Sequence, residues 1–190
     1  MKSYGNRKPG DEGDGGETAR YGGSRVRKGH PTVVANGEVD ELNAHVGLCV
    51  VAAESAGGQA PPGLANALGR IQADLMAVGA MLAVAPGQAP PAAVDPSDVA
   101  RLESEIAAAA ETLTPLESFL LSGGCELASR LHVARCVCRR AERAVVAAID
   151  AGHALPPVAL RYLNRLSDLL FELARSANRA AGVEDRPWQR

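Results

Sequence analysis

Aromatic side chains, paired cysteines, long apolar runs and an excess of either charge are all scarce in this chain. Each scarcity removes a class of protein. Aromatics supply 3% of the residues, with one Trp and two Phe, and β-branched runs are short, so extended sheets are disfavoured. The four cysteines (Cys49, Cys125, Cys136 and Cys138) form no CxxC pair and show no Cys/His metal spacing. Cys136 and Cys138, two apart on a helix, point to different sides and cannot bridge each other. Reduced thiols in a cytoplasmic protein are expected. No apolar run is long enough to span a bilayer, and the N-terminus lacks the apolar core of a signal peptide. A formal net charge of −2 gives no global pull toward nucleic acid or membrane, so any basic site must be local.

What remains is 190 residues rich in Ala and Leu, enough for one sizeable core of helices packed through small side chains. Residues 1–30 differ from the rest. They are rich in Gly, Asp, Arg and Lys with little to bury, which predicts a flexible arm. Two overlapping segments, Gly10-Asp11-Glu12-Gly13 and Gly13-Asp14-Gly15-Gly16, precede Thr18. Glycines there let successive backbone N–H groups turn inward as an anion nest, although a disordered tail is the plainer reading. No Walker A loop is present.

Helices are predicted from Pro31 onward, making 31–190 the bundle domain. The first, Thr32 to Ala56, has Val33, Val34, Val39, Leu42, Val46 and Val50 at inward spacing. The second runs from Pro62 to Val84 with an apolar stripe from Leu64 to Leu82. A Pro-rich linker over 85–96 leads to a third, capped by Asp95 or Ser97 and running through Thr112. Leu116 to Gly124 is a short apolar lead into a double glycine, with Phe119 placed to be core or a pocket wall. The last two run from about Cys125 to Asp150 and from Pro157 to about Ala181. In the last, Asn164 interrupts a leucine stripe, a burial cost unless it is hydrogen-bonded, and is thus a candidate ligand contact. Five helices with short links give an all-α bundle.

The fourth helix carries the chemistry. Arg135, Arg139 and Arg143 fall one turn apart on a single face, with Glu142 at its edge, while Val133, Val137, Ala141, Ala144 and Val145 are expected inward. Like charges at that spacing repel by about 0.2–0.5 kcal/mol per pair. A stack of guanidinium groups calls for an anion, either a partner's carboxylate or a phosphate gripped in two-pronged fashion. A solvated helix face is the plainer alternative. Asp40, on the first helix, either faces water or aims at such a stack.

Five blocks in order then resemble a known family: Ser24-Arg25-Val26-x-Lys28, Val39-Asp40-Glu41-Leu42-Asn43, Phe119-Leu120-Leu121-x-Gly123-Gly124, the run from His132 to Arg143, and Tyr162-Leu163-Asn164-Arg165-Leu166-Ser167-Asp168. They are similar to the ATP:corrinoid adenosyltransferases of the propanediol-utilisation type. That resemblance implies a homotrimeric five-helix bundle of ferritin-like form, with active sites at subunit interfaces. The implied reaction moves the 5′-deoxyadenosyl group of ATP to the cobalt of reduced cobalamin and releases triphosphate, with Mg²⁺ as cofactor. Position by position, it implies that Arg139, Arg140, Glu142 and Arg143 contact ATP, that Asn164 holds the nucleotide, and that Lys28 binds phosphate with Gly10, Gly13 and Thr18 of the arm. Arg135 pairs across the interface with Asp40, and Phe119 helps expel the corrinoid's lower ligand, with Phe171 in the same pocket. No residues are assigned to a protein-held metal.

The departures are as informative. The family's arm reads close to TxTGDDGTT. Here one register aligns Gly13-Asp14-Gly15-Gly16-Glu17-Thr18 and another aligns Arg7 to Gly13. Glu17 would repel a triphosphate, Ser122 stands where Pro is common, and Asn36 and Glu38 replace Tyr and Thr. A carrier that hands adenosylcobalamin to a dependent enzyme, or a bundle that has lost its ligand, are the alternatives to an enzyme.

Overall fold

The computed structural model describes residues 13–23 and 25–189. Gly10, and with it all of the Arg7–Gly13 register except Gly13, lies outside the described residues. Five helices dominate: α1 (Pro31–Ala56), α2 (Leu64–Ala83), α3 (Pro96–Glu111), α4 (Glu126–Asp150) and α5 (Pro157–Ala180). α1 packs on α2 and α4, α4 on α5, and α5 on α3. Leu42, Leu68, Ile71, Leu75, Leu131 and Leu166 are among the side chains buried between them, so the apolar stripes read from the sequence do build the core. Among the described residues no helix is long and apolar enough to cross a membrane.

Helix ends follow local chemistry. Asp95 caps α3 by accepting from Ser97 N at 2.6 Å, and Asp98 accepts in turn from Asp95 N at 2.9 Å, closing a capping box. The hydrogen bonds from Ser97 hold the Asp95 carboxyl below its usual range. α2 begins at Leu64 rather than Pro62, because Gly63 sits in the left-handed region at φ +75° and the helix can only start after it.

Two expectations about burial fail. Val34 and Val133 are exposed, at 46% and 48%. Periodicity identifies an apolar face without saying whether the same chain covers it, and here the chain leaves both bare.

Four short strands add what the helical pattern does not contain. β1 (Glu17–Ala19) and β2 (Arg25–Arg27) pair antiparallel, so a hairpin stands where a structureless arm was expected. It docks on the end of α2, where Tyr21 N donates to Ala83 O at 2.9 Å and Ala85 N to Tyr21 O at 2.8 Å. β3 (Leu120–Leu121) and β4 (Arg186–Pro187) form a second, smaller ribbon.

The flank made by α2, α3 and α5 is closed by charge pairs. Fully buried Tyr162 donates its hydroxyl to Asp74 at 2.8 Å, and Arg101 pairs with the same carboxylate and reaches Glu105 at 3.8 Å. Burial, then the Asp74 charge, pushes the Tyr162 hydroxyl far above its ordinary range. Arg161 meets Glu103 at 2.9 Å, and Arg165 meets Asp168 at 2.7 Å.

Candidate active site

α4 lies antiparallel to α1: residues near its start share a depression with Leu48, while Arg140 pairs with Glu38 and Glu41 near the start of α1. Val137, Ala141 and Val145 are buried as expected and anchor the helix. Cys138 pins it to α5 by donating to Leu163 O at 3.2 Å, and burial pushes that thiol up. The helix therefore cannot roll, and its arginines are displayed at fixed angles.

Those arginines divide into three kinds. Arg139 and Arg143 are exposed, with no hydrogen-bond or ion-pair partner among the described residues. Arg140 goes elsewhere than its sequence neighbours, its guanidinium held by the carboxylates of Glu38 and Glu41. The hydrogen bond it donates to Glu38, then the one it donates to Glu41, raises its already high pKa. Glu38 is one of the departures noted above, and it takes up a cation that the resemblance assigns to ATP. Arg135 is half-buried: Nη2 lies 3.4 Å from Ser122 Oγ, the guanidinium carbon 6.0 Å from the centre of the Phe171 ring, and Nε is buried without a hydrogen-bond partner among the described residues. Asp40 is exposed and meets neither Arg135 nor any other cation within its own chain, among the described residues.

Asn164 escapes the burial cost that its place in a leucine stripe implied. Its amide donates to Glu142 Oε1 at 3.0 Å, so two residues assigned to the nucleotide hold each other from adjacent helices. Asn43 and Gly47, which line up with Asp40 in the sequence, turn instead to α2. There Gln72 donates to Asn43 Oδ1 at 3.0 Å, and a Cβ on Gly47 would sit 3.0 Å from Gln72 Nε2.

In the arm, Gly16 N donates to Gly13 O at 3.4 Å, Lys28 N to Gly16 O at 2.9 Å, and Arg27 to Gly15 O at 3.2 Å. The Lys28 ammonium is 3.9 Å from where a Gly13 Cβ would be. A basic groove of about 760 Å³ runs past Gly16, Arg25, Arg27, Lys28 and His30. Glu17 is partly neutralised there, accepting from Arg25 at 3.4 Å, which weakens the repulsion expected of it. Thr18 lies in β1, half-buried and paired in register with Val26. No hydrogen bond or ion pair joins this described hairpin to Arg139 within one chain.

The β3–β4 ribbon presents Phe119, 82% exposed, at one end. Trp188 N donates to Phe119 O at 2.7 Å, which places the chain's single Trp beside it. Trp188 was missed in the sequence. The available signal was an aromatic in an otherwise polar tail, which nothing local would bury. Beneath the ribbon, His132 is buried, its ring 6.0 Å from that of Phe171, with Nδ1 unpartnered among the described residues. Burial, then Arg135, lowers its pKa. At the ribbon's root Arg175 donates to Asp185 at 2.9 Å, Glu172 at 3.2 Å and Thr114 O at 2.6 Å. Asn178 donates to Gly123 O at 3.0 Å and accepts from Cys125 N at 2.9 Å. A Cβ on Gly124, at φ +115°, would fall 2.0 Å from Asn178 Oδ1.

Residues 10–177 match the cobalamin adenosyltransferase family. A cobalamin adenosyltransferase of Cupriavidus metallidurans is 43% identical over 178 residues, covering 94% of this chain and 91% of its own. The corrinoid adenosyltransferase PduO of Citrobacter freundii is 42% identical over 171 residues; the match covers 89% of this chain but about half of that protein (49%). Among solved structures, a variant PduO-type ATP:corrinoid adenosyltransferase from Lactobacillus reuteri, complexed with cobalamin and ATP, superimposes with TM-score 0.86. It is 33% identical, and the match covers 94% of this chain and 97% of that one.

Proposed function

Because the chain belongs to the cobalamin adenosyltransferase family, we propose that it transfers the 5′-deoxyadenosyl group of ATP to the cobalt of a reduced corrinoid. A Co–C bond forms at C5′, the C5′–O bond breaks, and its electron pair leaves on triphosphate. Co(I) is the nucleophile, so the protein's work is positioning and charge stabilisation.

The observation that carries this reading is the free pair Arg139 and Arg143, one turn apart on a helix that cannot roll. They supply the cations a departing triphosphate needs, at a fixed spacing, where charge develops. Asn164 and Glu142, already joined, present amide and carboxylate groups to the nucleoside. The Gly13–Gly16 turn with Lys28 favours the register Gly13-Asp14-Gly15-Gly16-Glu17-Thr18 for the phosphate-binding arm. Arg140, held by two carboxylates, locks α4 to α1 and sets the register of its neighbours. Among the described residues no three His, Cys, Asp or Glu side chains come together to hold a metal. In this reading magnesium arrives with ATP, coordinated by its phosphates.

The site closes between copies of the chain, in a homotrimer. Support comes from Asp40, unpaired among the described residues of its own chain and free to meet Arg135 of a neighbour. Exposed Leu48, Val51 and Val133 on the same α1–α4 face give that neighbour apolar surface to cover. Phe119 and Phe171 then wall the corrinoid, Phe119 displacing its lower ligand so that the metal is more easily reduced.

The test is incubation of the full chain with ATP, Mg²⁺ and chemically reduced cobalamin under anaerobic conditions. Adenosylcobalamin and triphosphate should form in equal amounts. No conversion above a protein-free control, with folded protein present, would reject the proposal.

A further inference from the structure

Ribbons two residues long on each strand do not stand by themselves in water, yet β3 and β4 hold Phe119 out with 82% of its surface exposed. Packing of the Phe119 ring itself therefore cannot fix its place. The restraint comes from α5. Arg175 and Asn178, 6% and 3% exposed, bind three separate segments: the loop before β3 through Thr114 O, the double glycine through Gly123 O, and the C-terminal strap through Asp185. Asp185 is the one carboxylate touched by both, its Oδ2 taking Arg175 at 2.9 Å and its Oδ1 taking Asn178 at 3.4 Å.

We propose that Asp185 is a positioning residue for the corrinoid: clasped by Arg175 and Asn178, it fastens the strap that carries Trp188 and thereby sets Phe119. The proposal rests on the reading that Phe119 faces the corrinoid. Asp185 is the informative member, because removing it frees the strap while Arg175 keeps Glu172 and the Thr114 carbonyl. A buried cation is not stranded, so the bundle should still fold. The clasp acts on one ligand only, since among the described residues Arg139, Arg143, Asn164 and the arm from Gly13 onward share no hydrogen bond with it.

Because Trp188 is the only Trp, its fluorescence reports the strap directly. The experiment compares the full chain with Asp185→Ala and Asp185→Glu, measuring acrylamide quenching of Trp188 and steady-state kinetics for both substrates. In Asp185→Ala, quenching should rise. kcat/KM for cobalamin should fall about tenfold, as a small displacement of a positioning group does. The KM for ATP should stay within about twofold, because uniform nucleotide binding is untouched. Asp185→Glu should recover most of the loss. Unchanged quenching in Asp185→Ala, or a loosened strap with wild-type cobalamin kinetics, would overturn the proposal. If Asp185→Ala does not fold, Asp185→Asn removes the charge at constant shape and faces the same criteria. A wild-type chain that makes no adenosylcobalamin would count against the function itself. The clasp would then be judged by cob(II)alamin titration, where equal quenching of Trp188 in wild type and variant rejects it.

Discussion

On the α2–α3–α5 flank, Arg101, Arg161 and Arg165 each meet a carboxylate of their own chain, and Tyr162 adds a hydroxyl to Asp74. On the α1–α4 flank Arg139 and Arg143 meet no carboxylate and Asp40 no cation among the described residues, and Leu48, Val51 and Val133 are bare farther along the same two helices. The two flanks use the same residue types to opposite ends. Charges matched within the fold hold helices together. Charges left over on a rigid helix are available to something that arrives later. Arg140 marks the boundary: it sits on the open flank but is matched by Glu38 and Glu41, and so works for the fold.

The comparison breaks most visibly at Arg139. Arg139→Ala should lower kcat/KM for ATP by about 10²–10³-fold, the usual loss for one charge-stabilising donor, with an unchanged circular dichroism melt. Wild-type kinetics would make this arginine merely a solvated surface group. On the closed flank the converse holds. Asp74→Ala leaves the buried Tyr162 hydroxyl without its acceptor and Arg101 with only the longer contacts to Asp98 and Glu105; it should cost about 2–3 kcal/mol, seen as a lower midpoint in urea, while ATP affinity in the folded fraction persists. Asp40→Ala should shift the protein toward smaller species in size-exclusion chromatography, by about 1–2 kcal/mol per lost charge-assisted contact, with the melt of the isolated subunit unmoved.

The smallest effect concerns pH. The lowered pKa of His132 means that the unfolded chain binds a proton the native one refuses. Stability should be full above the ordinary value of 6.5 and decline as pH falls through it toward the depressed value. His153 shifts in the same direction, so His132→Gln should flatten the pH dependence of Tm in part. A melt that is flat between about pH 8 and pH 5 would show that neither ring resists protonation.

The helices were legible because their apolar residues recur with a helical period and their ends carry Pro, Gly and Asp in the expected places. The α3 cap at Asp95 is the clearest case. Of the site, the ladder on α4 and the pairing need of Asn164 could be read from spacing and burial cost. Three things could not. Val34 and Val133 follow the same period as core residues, and a period is blind to what covers a face. The β3–β4 ribbon is two residues deep and its partners are 65 positions apart (Leu121 with Arg186), so no local pattern announces it. The commitment of Arg140 depends on Glu38 and Glu41 lying across a helix interface, about a hundred residues away in sequence (|i−j| 102 and 99).

The contact between Gly124 and Asn178 sets a limit on redesign. Since a Cβ at position 124 would collide with Asn178 at 2.0 Å, a library that diversifies both sites independently would consist mostly of misfolded members. Leu121 and Trp188, exposed on the same ribbon, carry no such constraint. Variants that probe the proposed role of Phe119 are best drawn from the ribbon's outer face, with its root left as it is.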